Sequence, residues 1–347
     1  MVINVVEWTR LEPWRVARAR TDRDETVIIK WTGPHASRAR DEPWRLRTEA
    51  AALRFLSEDL GAALAPRVLA VDLAEGRLVL ADLAPRTALD GLLRRHGAGA
   101  HADRLTAAAR ARGELGALTA GHAEAYYRRR AALGPVDPAA DRLGRVAGQR
   151  ESGMPSLLGV PVPGGVEREF GAALAELAEP GPFLVLSNGD AEANNVLVHA
   201  EGPADARLID FEFARFTHAL HDAVPLHVPG PGWLSLGGPA EGEVYRRALA
   251  LGVPQAEDDG WYGRGLAAAC VSYALARLTR LAVLDGRPAG DDSRAQLVAI
   301  LEETARTAEG PLPRLAGWCR QVAAALRRRW PDADVDFGAL APYTPRR

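Results

Sequence analysis

Residues 186–210 of this 347-residue chain read LSNGDAEANNVLVHAEGPADARLID. Within them Asp190 is followed five residues later by Asn195, and Asp210 lies fifteen residues beyond that. Apolar runs flank these residues: FLVL ends at position 186, VLV follows Asn195, and LI precedes Asp210. Such runs are typical of short buried strands. We therefore expect one amide and two carboxylates at the ends of neighbouring strands.

This set of polar residues has the chemistry that phosphoryl transfer from a nucleotide requires. One carboxylate accepts the proton of the acceptor hydroxyl, while an amide and a second carboxylate hold Mg²⁺ against the phosphates. The spacing matches the D-x-x-x-x-N of a kinase catalytic loop and the metal-binding Asp after it. Asn194 is a rival to Asn195, but only Asn195 keeps the five-residue spacing and directly precedes a strand. The sequence thus predicts Asp190 as the base and Asn195 with Asp210 as Mg²⁺ ligands.

The chain contains a single lysine, Lys30, among 43 lysines and arginines. It lies in the predicted strand VIIKW, and Glu49 lies on the predicted helix that follows. A strand lysine paired with a helix glutamate aims an ammonium at the α- and β-phosphates in kinases, although surface pairs of this kind are also common. The compact ammonium and the wide guanidinium fork are not interchangeable at a tight phosphate site. The survival of one lysine therefore favours the functional interpretation.

Hydrophobic periodicity predicts an α+β chain with a small sheet at its N-terminus. We expect strands over 2–8, 14–20 and 25–31, a helix over 43–60, and a hairpin of 68–72 with 77–80. The segment 82–85 breaks the pattern, so residues 1–81 form the predicted N-terminal nucleotide-binding lobe and 82–347 the catalytic and acceptor-binding lobe. The second lobe is predicted to be mainly helical, with helices over 87–96, 102–133, 166–177, 240–251, 261–285 and 293–330.

Composition excludes several functional classes. The formal net charge of −2 gives no field for a nucleic acid. No apolar run reaches the length of a membrane span, and the N-terminus lacks the pattern of a signal peptide, so we expect no membrane association and a cytoplasmic location. Cys270 and Cys319 lie in helical patterns without metal-ligand spacing and are expected to be small buried thiols.

The segments Asn188–Gly189–Asp190 and Ile209–Asp210–Phe211–Glu212, with Lys30 and Glu49, resemble the aminoglycoside phosphotransferase and choline kinase family over about residues 14–225. The resemblance implies a protein-kinase-like bilobal fold and ATP- and Mg²⁺-dependent transfer to a hydroxyl of a small molecule, with GTP as an open alternative. It also implies that Asp222 is a structural acid that steadies the catalytic loop. The nucleotide would contact Lys30, Glu49, Leu80, Ala81, Leu83, Leu197 and Ile209.

The acceptor stays open at this stage. Its candidate contacts, taken from where the family binds acceptors, are Glu212, Trp233, Asp259, Trp261 and Tyr262. An antibiotic-like molecule (an aminoglycoside or a nucleoside), a sugar and an amino alcohol are all allowed, and the oligomeric state is undetermined.

Three departures from the family pattern suggest a divergent member. Asn188 stands where aminoglycoside kinases usually have His, and His218 replaces an acid, with a structural or capping role expected. The predicted first hairpin, residues 8–14, contains no glycine, which predicts weaker clamping of the nucleotide, with Arg10 contributing. The glycine-free hairpin supports an alternative, a nucleotide-binding pseudokinase or regulatory module; the complete set of polar residues opposes it. A protein kinase is disfavoured because 210–222 is too short for an activation loop.

Overall fold

The computed structural model describes residues 4–12, 15–32 and 43–347. An antiparallel five-stranded sheet with the order β1-β2-β3-β5-β4 forms its N-terminal part. The strands are β1 (Val5–Glu12), β2 (Val16–Thr21), β3 (Thr26–Trp31), β4 (Val68–Asp72) and β5 (Arg77–Ala81). One helix, α1 (Pro43–Arg54), follows β3 and continues as a single π-helical turn, Phe55–Asp59. The predicted lobe with one sheet and one helix is confirmed.

The first strand differs from its prediction. It was expected to end at Trp8 but continues to Glu12, and its pairing with β2 extends from Val5 opposite Thr21 to Glu12 opposite Val16. β1 is an edge strand whose described side chains are exposed, so its polar second half needs no apolar alternation to remain in the sheet. The start of the second predicted strand, at residue 14, lies outside the described residues.

The C-terminal part is mainly helical and contains two small sheets. The strands β6 (Thr87–Ala88), β8 (Val196–Val198) and β9 (Ala206–Leu208) form one sheet, and β7 (Leu184–Ser187) pairs with β10 (Arg215–His218) in the other. The helices are α2 (Leu89–His96), α3 (Ala102–Thr119), α4 (Ala123–Ala131), α5 (Pro138–Leu143), α6 (Arg145–Ser152), α7 (Gly164–Ala178), α8 (Pro239–Ala250), α9 (Asp259–Leu278), α10 (Leu281–Asp285), α11 (Asp292–Ala308) and α12 (Pro313–Arg329).

Three long predicted helices are interrupted, and the one predicted over 261–285 divides into α9 and α10 at residues 279–280 without a glycine or proline. The other two breaks have a local cause. The helix predicted over 102–133 breaks between α3 and α4 at Gly121, whose φ of +79° ends a right-handed helix. The helix predicted over 293–330 breaks between α11 and α12, where Gly310 and Pro311 precede Pro313 at the start of α12. In both places a helix-breaking residue overrides a continuous apolar pattern.

One hydrophobic core connects the two parts of the molecule. It includes Leu53 of α1, Phe55 of the π-helical turn, Leu80 of the first sheet, Leu186 of β7 and Leu208 of β9, all almost fully buried. A second core holds α7, α9, α11 and α12 together. The shared core fixes the glutamate-bearing helix against the strands of residues 184–210. Cys270 and Cys319 are buried free thiols, as predicted, and none of the described helices is long and apolar enough to cross a membrane.

Candidate active site

Lys30 joins the two parts of the molecule at the candidate site. Its Nζ donates hydrogen bonds to Glu49 Oε1 at 2.6 Å and to Asp210 Oδ1 at 2.8 Å. The side chain of Glu49 is only 3% exposed and that of Lys30 is 19% exposed, so solvent screens this triad weakly. Burial lowers the pKa of Lys30, but the carboxylates of Glu49 and Asp210 offset burial and hold that pKa above its usual value. The ammonium of Lys30 is therefore charged and held between Glu49 and Asp210.

The loop after β7 owes its shape to Gly189. This residue has φ of +84°, and a Cβ built on it would collide with the backbone carbonyl of Phe213. Only glycine combines that backbone conformation with such a close approach. The sharp turn brings Asp190, the next residue, to the surface of a cavity.

Asn188 connects the loop that carries Asp190 to the segment that carries Asp210. Its Nδ2 donates to the Ile209 carbonyl at 3.1 Å, and its Oδ1 accepts from the Asp190 amide at 3.4 Å. The side chain is almost fully buried, so these bonds do not compete with water. An amide with one donor and one acceptor can therefore support this loop where the family usually has histidine.

Asp222 stabilises the same loop through Ser187. It accepts a 2.6 Å hydrogen bond from Ser187 Oγ, and that oxygen accepts from the Gly189 amide at 2.9 Å. Burial raises the pKa of Asp222, while the Ser187 hydroxyl and the nearby Arg112 act in the opposite direction. This is the position that the resemblance implies for a structural acid.

Asn195 ends the 3₁₀ turn Ala193–Asn195 just before β8. Its Nδ2 donates to the Asp190 carbonyl at 3.1 Å, and its own carbonyl accepts from the Ile209 amide at 3.0 Å. Because the amide nitrogen is bound to the loop, Oδ1 is the atom left for other partners; it accepts from Asn194 Nδ2 at 3.0 Å. Asn195 thus connects the loop of Asp190 to the segment of Asp210.

Asp210 has a left-handed backbone, with φ of +64°. That conformation is rare for a side chain with a Cβ, though Asp tolerates it better than most. It lies two residues after the end of β9, and its carboxylate, 35% exposed, pairs with Lys30. Such local strain recurs at functional sites.

The donor set suits a magnesium ion. An amide oxygen and a carboxylate are hard ligands, and Mg²⁺ normally completes its shell with water and substrate phosphates. Within the described ranges no cluster of three or more His, Cys, Asp or Glu could hold a metal on its own. Asn195 and Asp210 therefore fit an ion shared with phosphates rather than a cage made by the protein alone.

The predicted nucleotide contacts surround this triad. Leu80 lies on β5, with its side chain buried, and Leu197 and Ile209 are half-buried on and after the strands of the C-terminal sheet. The amide of Ala81 donates to the Arg67 carbonyl at 2.9 Å, so this amide is not available to a nucleobase. Leu83 follows in the connection between the two parts, and its carbonyl accepts from the Arg86 amide.

A cavity of about 110 Å³ opens beside Asp190. Its lining includes Asp222 and five polar residues that the sequence did not single out: Arg142, Glu192, Arg215, His221 and Tyr273. Burial and the neighbouring Asp190 raise the pKa of Glu192 to about 7. Glu192 follows Asp190 by two residues, and this closeness in sequence could have indicated that it lies at the site. The other four lie on distant segments and carried no motif.

The predicted acceptor contacts do not converge on this cavity. Glu212 forms an ion pair with Arg45 of α1, with Oε1 3.0 Å from Nη1. Trp233 is buried against Tyr343 and lines a second cavity that shares Glu192 with the first. Asp259 pairs with Arg246, Tyr262 packs under the same arginine, and Trp261 is half-exposed.

The last three residues lie in the first turns of α9. Tyr273, on the same helix, lines the cavity eleven residues later, about 16 Å further along the axis. Any role for these three in acceptor binding would require an acceptor that extends over that distance.

His218 has the capping role that was expected. Its Nδ1 accepts from the Leu220 amide at 3.2 Å, and its ring stacks on Phe183 with centroids 5.2 Å apart. The side chain is fully buried, and burial lowers its pKa below the usual value. His218 therefore stabilises the turn before Asp222.

Comparison with known proteins identifies the fold. No family model matches the chain, and no curated protein sequence does. A choline/ethanolamine kinase family protein from Mesorhizobium loti has a TM-score of 0.51 at 19% identity, over 91% of this chain and 92% of that one. The GDP and kanamycin complex of APH(2")-IIia has a TM-score of 0.50 at 13% identity, over 88% of this chain and 95% of that one.

A macrolide 2'-phosphotransferase from Brachybacterium faecium has a TM-score of 0.48 at 18% identity, over 86% of this chain and 91% of that one. The predicted kinase-like bilobal fold is confirmed by the first two similarities. The resemblance to small-molecule kinases that was inferred from the motifs holds at the level of the fold.

Proposed function

We propose that this chain is an ATP- and Mg²⁺-dependent O-phosphotransferase that acts on a small molecule. The observation that carries the proposal is the triad of Lys30, Glu49 and Asp210. Its members come from β3, α1 and the segment after β9, and Lys30 Nζ lies within 2.8 Å of both carboxylates. A charged ammonium held between a buried glutamate and a metal-binding aspartate is what phosphate orientation requires.

The residues of the C-terminal loops take the remaining roles. Asp190 accepts the proton of the acceptor hydroxyl as its oxygen forms a bond to the γ-phosphorus. The bond from that phosphorus to the β–γ bridging oxygen breaks, and the nucleoside diphosphate leaves. Asn195 and Asp210 would hold Mg²⁺, which neutralises charge on the phosphates. Asn188 and Asp222 act through the loop, because their hydrogen bonds fix where Asp190 points.

The proposal rests on the intact loop and triad, and the fold similarity supports it. The pseudokinase alternative rests on the hairpin of β1 and β2, whose described residues lack glycine and whose Arg10 is exposed. The two functions predict the same nucleotide binding but opposite results for transfer.

The test compares Asp190→Asn with a surface control, Asp24→Asn. Thermal shift with Mg²⁺–ATP measures nucleotide binding, and release of ADP with a panel of hydroxyl acceptors measures transfer. We expect Asp190→Asn to retain the shift and to lose about 10²–10⁴-fold in turnover, because the base is gone. Asp24 is 85% exposed, and its left-handed backbone suits asparagine, so Asp24→Asn should match wild type.

A wild-type protein that shifts with Mg²⁺–ATP yet phosphorylates nothing would favour the pseudokinase. Turnover at the wild-type level in Asp190→Asn would refute the assignment of the base. No shift with any nucleotide would refute both functions.

A further inference from the structure

Two arginines line the cavity beside Asp190. Arg142 lies in the last turn of α5, and Arg215 is the first residue of β10. Arg215 pairs with Ser187 across the two-stranded sheet, which places it next to the catalytic loop. Both side chains are half-buried and both border the same space as the candidate base.

Neither guanidinium has a hydrogen bond or an ion pair elsewhere in the described part of the chain, and Arg142 Nε is shielded from solvent without a partner. Arg47 of α1 is also half-buried without a described partner, but it does not line this cavity; other arginines that are withdrawn from solvent are paired. Arg86 binds Asp205 at 2.6 Å, and Arg104 donates to the His199 carbonyl at 2.8 Å. Guanidinium donors that are withdrawn from water without a partner cost free energy. Arg142 has such a donor, and Arg215 presents a second unpaired fork to the same cavity, so we take the missing partner to be a ligand.

The acids around the cavity do not supply that partner. Asp222 is bound to Ser187, and Asp222, Glu192 and Asp190 already lie in the field of the buried Arg112. With its pKa raised to about 7, Glu192 is only partly ionised at neutral pH. Arg215 acts electrostatically on Asp222 and on Asp141, but no oxygen of either lies within ion-pair distance among the described contacts.

We infer that the acceptor carries an anionic oxygen group, a carboxylate or a phosphate, that Arg142 and Arg215 bind while its hydroxyl lies at Asp190. Planar guanidinium forks match both groups with paired hydrogen bonds. This inference rests on the proposed phosphotransfer and narrows its substrate class. A polycationic aminoglycoside or a simple amino alcohol would instead bring positive charge against two guanidinium groups.

The size of the cavity agrees with a compact reacting end. At about 110 Å³ it is smaller than the roughly 300–1,000 Å³ of sites that enclose drug-sized ligands. The hydroxyl and the anionic group of the acceptor must therefore be close to each other. Glyceric acid and glycerol phosphate have this arrangement, whereas glycerol has the hydroxyls without the anion.

The experiment measures release of ADP with four acceptors: glycerate, glycerol phosphate, glycerol and kanamycin. We expect turnover with one or both anionic acceptors, and their comparison distinguishes a carboxylate from a phosphate. Arg142→Gln and Arg215→Gln should each raise KM for the anionic acceptor by about 10- to 100-fold, as expected when a hydrogen bond to a charged group is lost. Arg150→Gln, at an exposed position of α6, should leave KM unchanged.

Folding and nucleotide binding are monitored in each variant by the thermal shift with Mg²⁺–ATP. A variant that loses this shift is replaced by the corresponding Arg→Lys variant, which keeps the charge but not the fork. If none of the four acceptors is turned over, binding decides: glycerate or inorganic phosphate should stabilise wild type and fail to stabilise the double variant Arg142→Gln/Arg215→Gln.

Transfer to kanamycin or glycerol alone would overturn this inference and leave the phosphotransferase intact. Anion binding that is equal in wild type and the double variant would also overturn it. Loss of the nucleotide shift in wild type would instead refute the phosphotransferase itself.

Discussion

Replacing Glu49 with Gln tests the triad directly. The amide keeps the shape of the side chain but removes the charge that lies 2.6 Å from Lys30 Nζ. Lys30 would then have Asp210 as its single carboxylate partner, at 2.8 Å. The ammonium should move toward Asp210, which reduces the availability of that carboxylate for a metal.

The magnitude follows from burial. Breaking a buried ion pair costs about 3–5 kcal/mol when the remaining charge has no partner. Here Asp210 remains, so the expected loss is that of one hydrogen bond between charged groups, about 1.5–3 kcal/mol in free energy of unfolding. A similar loss of phosphate orientation would lower kcat/KM by about 10- to 100-fold.

Urea unfolding measures the first quantity, and ADP release at varied Mg²⁺–ATP measures the second. Glu58→Gln is the matched control, because Glu58 lies in the π-helical turn after the same helix and its ion pair with Arg129 is half-exposed. The control should change stability by less than about 1 kcal/mol. Wild-type stability together with wild-type kcat/KM in Glu49→Gln would refute the assigned role of the triad.

Three further predictions concern the same site. Lys30→Arg should lower kcat/KM at least about tenfold with the charge retained, since the guanidinium is too wide for the gap between Glu49 and Asp210; equal kinetics would make the single lysine incidental. Glu192 holds its proton more tightly when folded, with a pKa of about 7 against 4.5, so its contribution to stability is complete below pH 4.5 and is lost as the pH rises through 7. Urea titrations should show the free energy of unfolding of wild type falling by up to about 3 kcal/mol relative to Glu192→Gln over that range. Parallel curves of this free energy against pH would contradict the burial of Glu192. Gly189→Ala should destabilise by about 2 kcal/mol or more and reduce turnover, while Gly171→Ala, where nothing lies within 4 Å of the new Cβ, should be neutral or stabilising in thermal melts.

The local structure of residues 186–210 could be predicted because the residues that determine it are contiguous in sequence. Asp190, Asn195 and Asp210 lie within 21 residues, and their spacing is set by two short strands that the apolar runs indicate. Asn195 hydrogen-bonds the backbone of Asp190 and of Ile209, so local contacts connect the loop of Asp190 to the segment of Asp210. Lys30 and Glu49 were also predictable, because a strand followed by a helix places them on facing elements.

Other features depend on tertiary context. The extension of β1 to Glu12 is stabilised by pairing with β2, which no local apolar pattern signals. The conformation of Asn188 likewise follows from its partners. A position usually occupied by histidine can hold an amide here because the Ile209 carbonyl and the Asp190 amide present one acceptor and one donor. Asn188 departs from the usual histidine, but its two hydrogen bonds still hold the loop of Asp190 to the segment of Asp210.

The cavity beside Asp190 shows why a substrate was harder to propose from the sequence than a reaction. Phosphoryl transfer uses a loop whose groups are adjacent in sequence, whereas the cavity combines Arg142 of α5, Arg215 of β10 and Tyr273 of α9. Two of these three are arginines, in a chain that has 43 basic residues but a single lysine, so composition hides them among many surface arginines. What distinguishes them is the absence of a hydrogen-bond or ion-pair partner within the described structure, together with their place beside Asp190. Transfer to an anionic acceptor would make the pairing state of half-buried arginines around Asp190 a better guide to acceptor charge than the overall acidity of the segment.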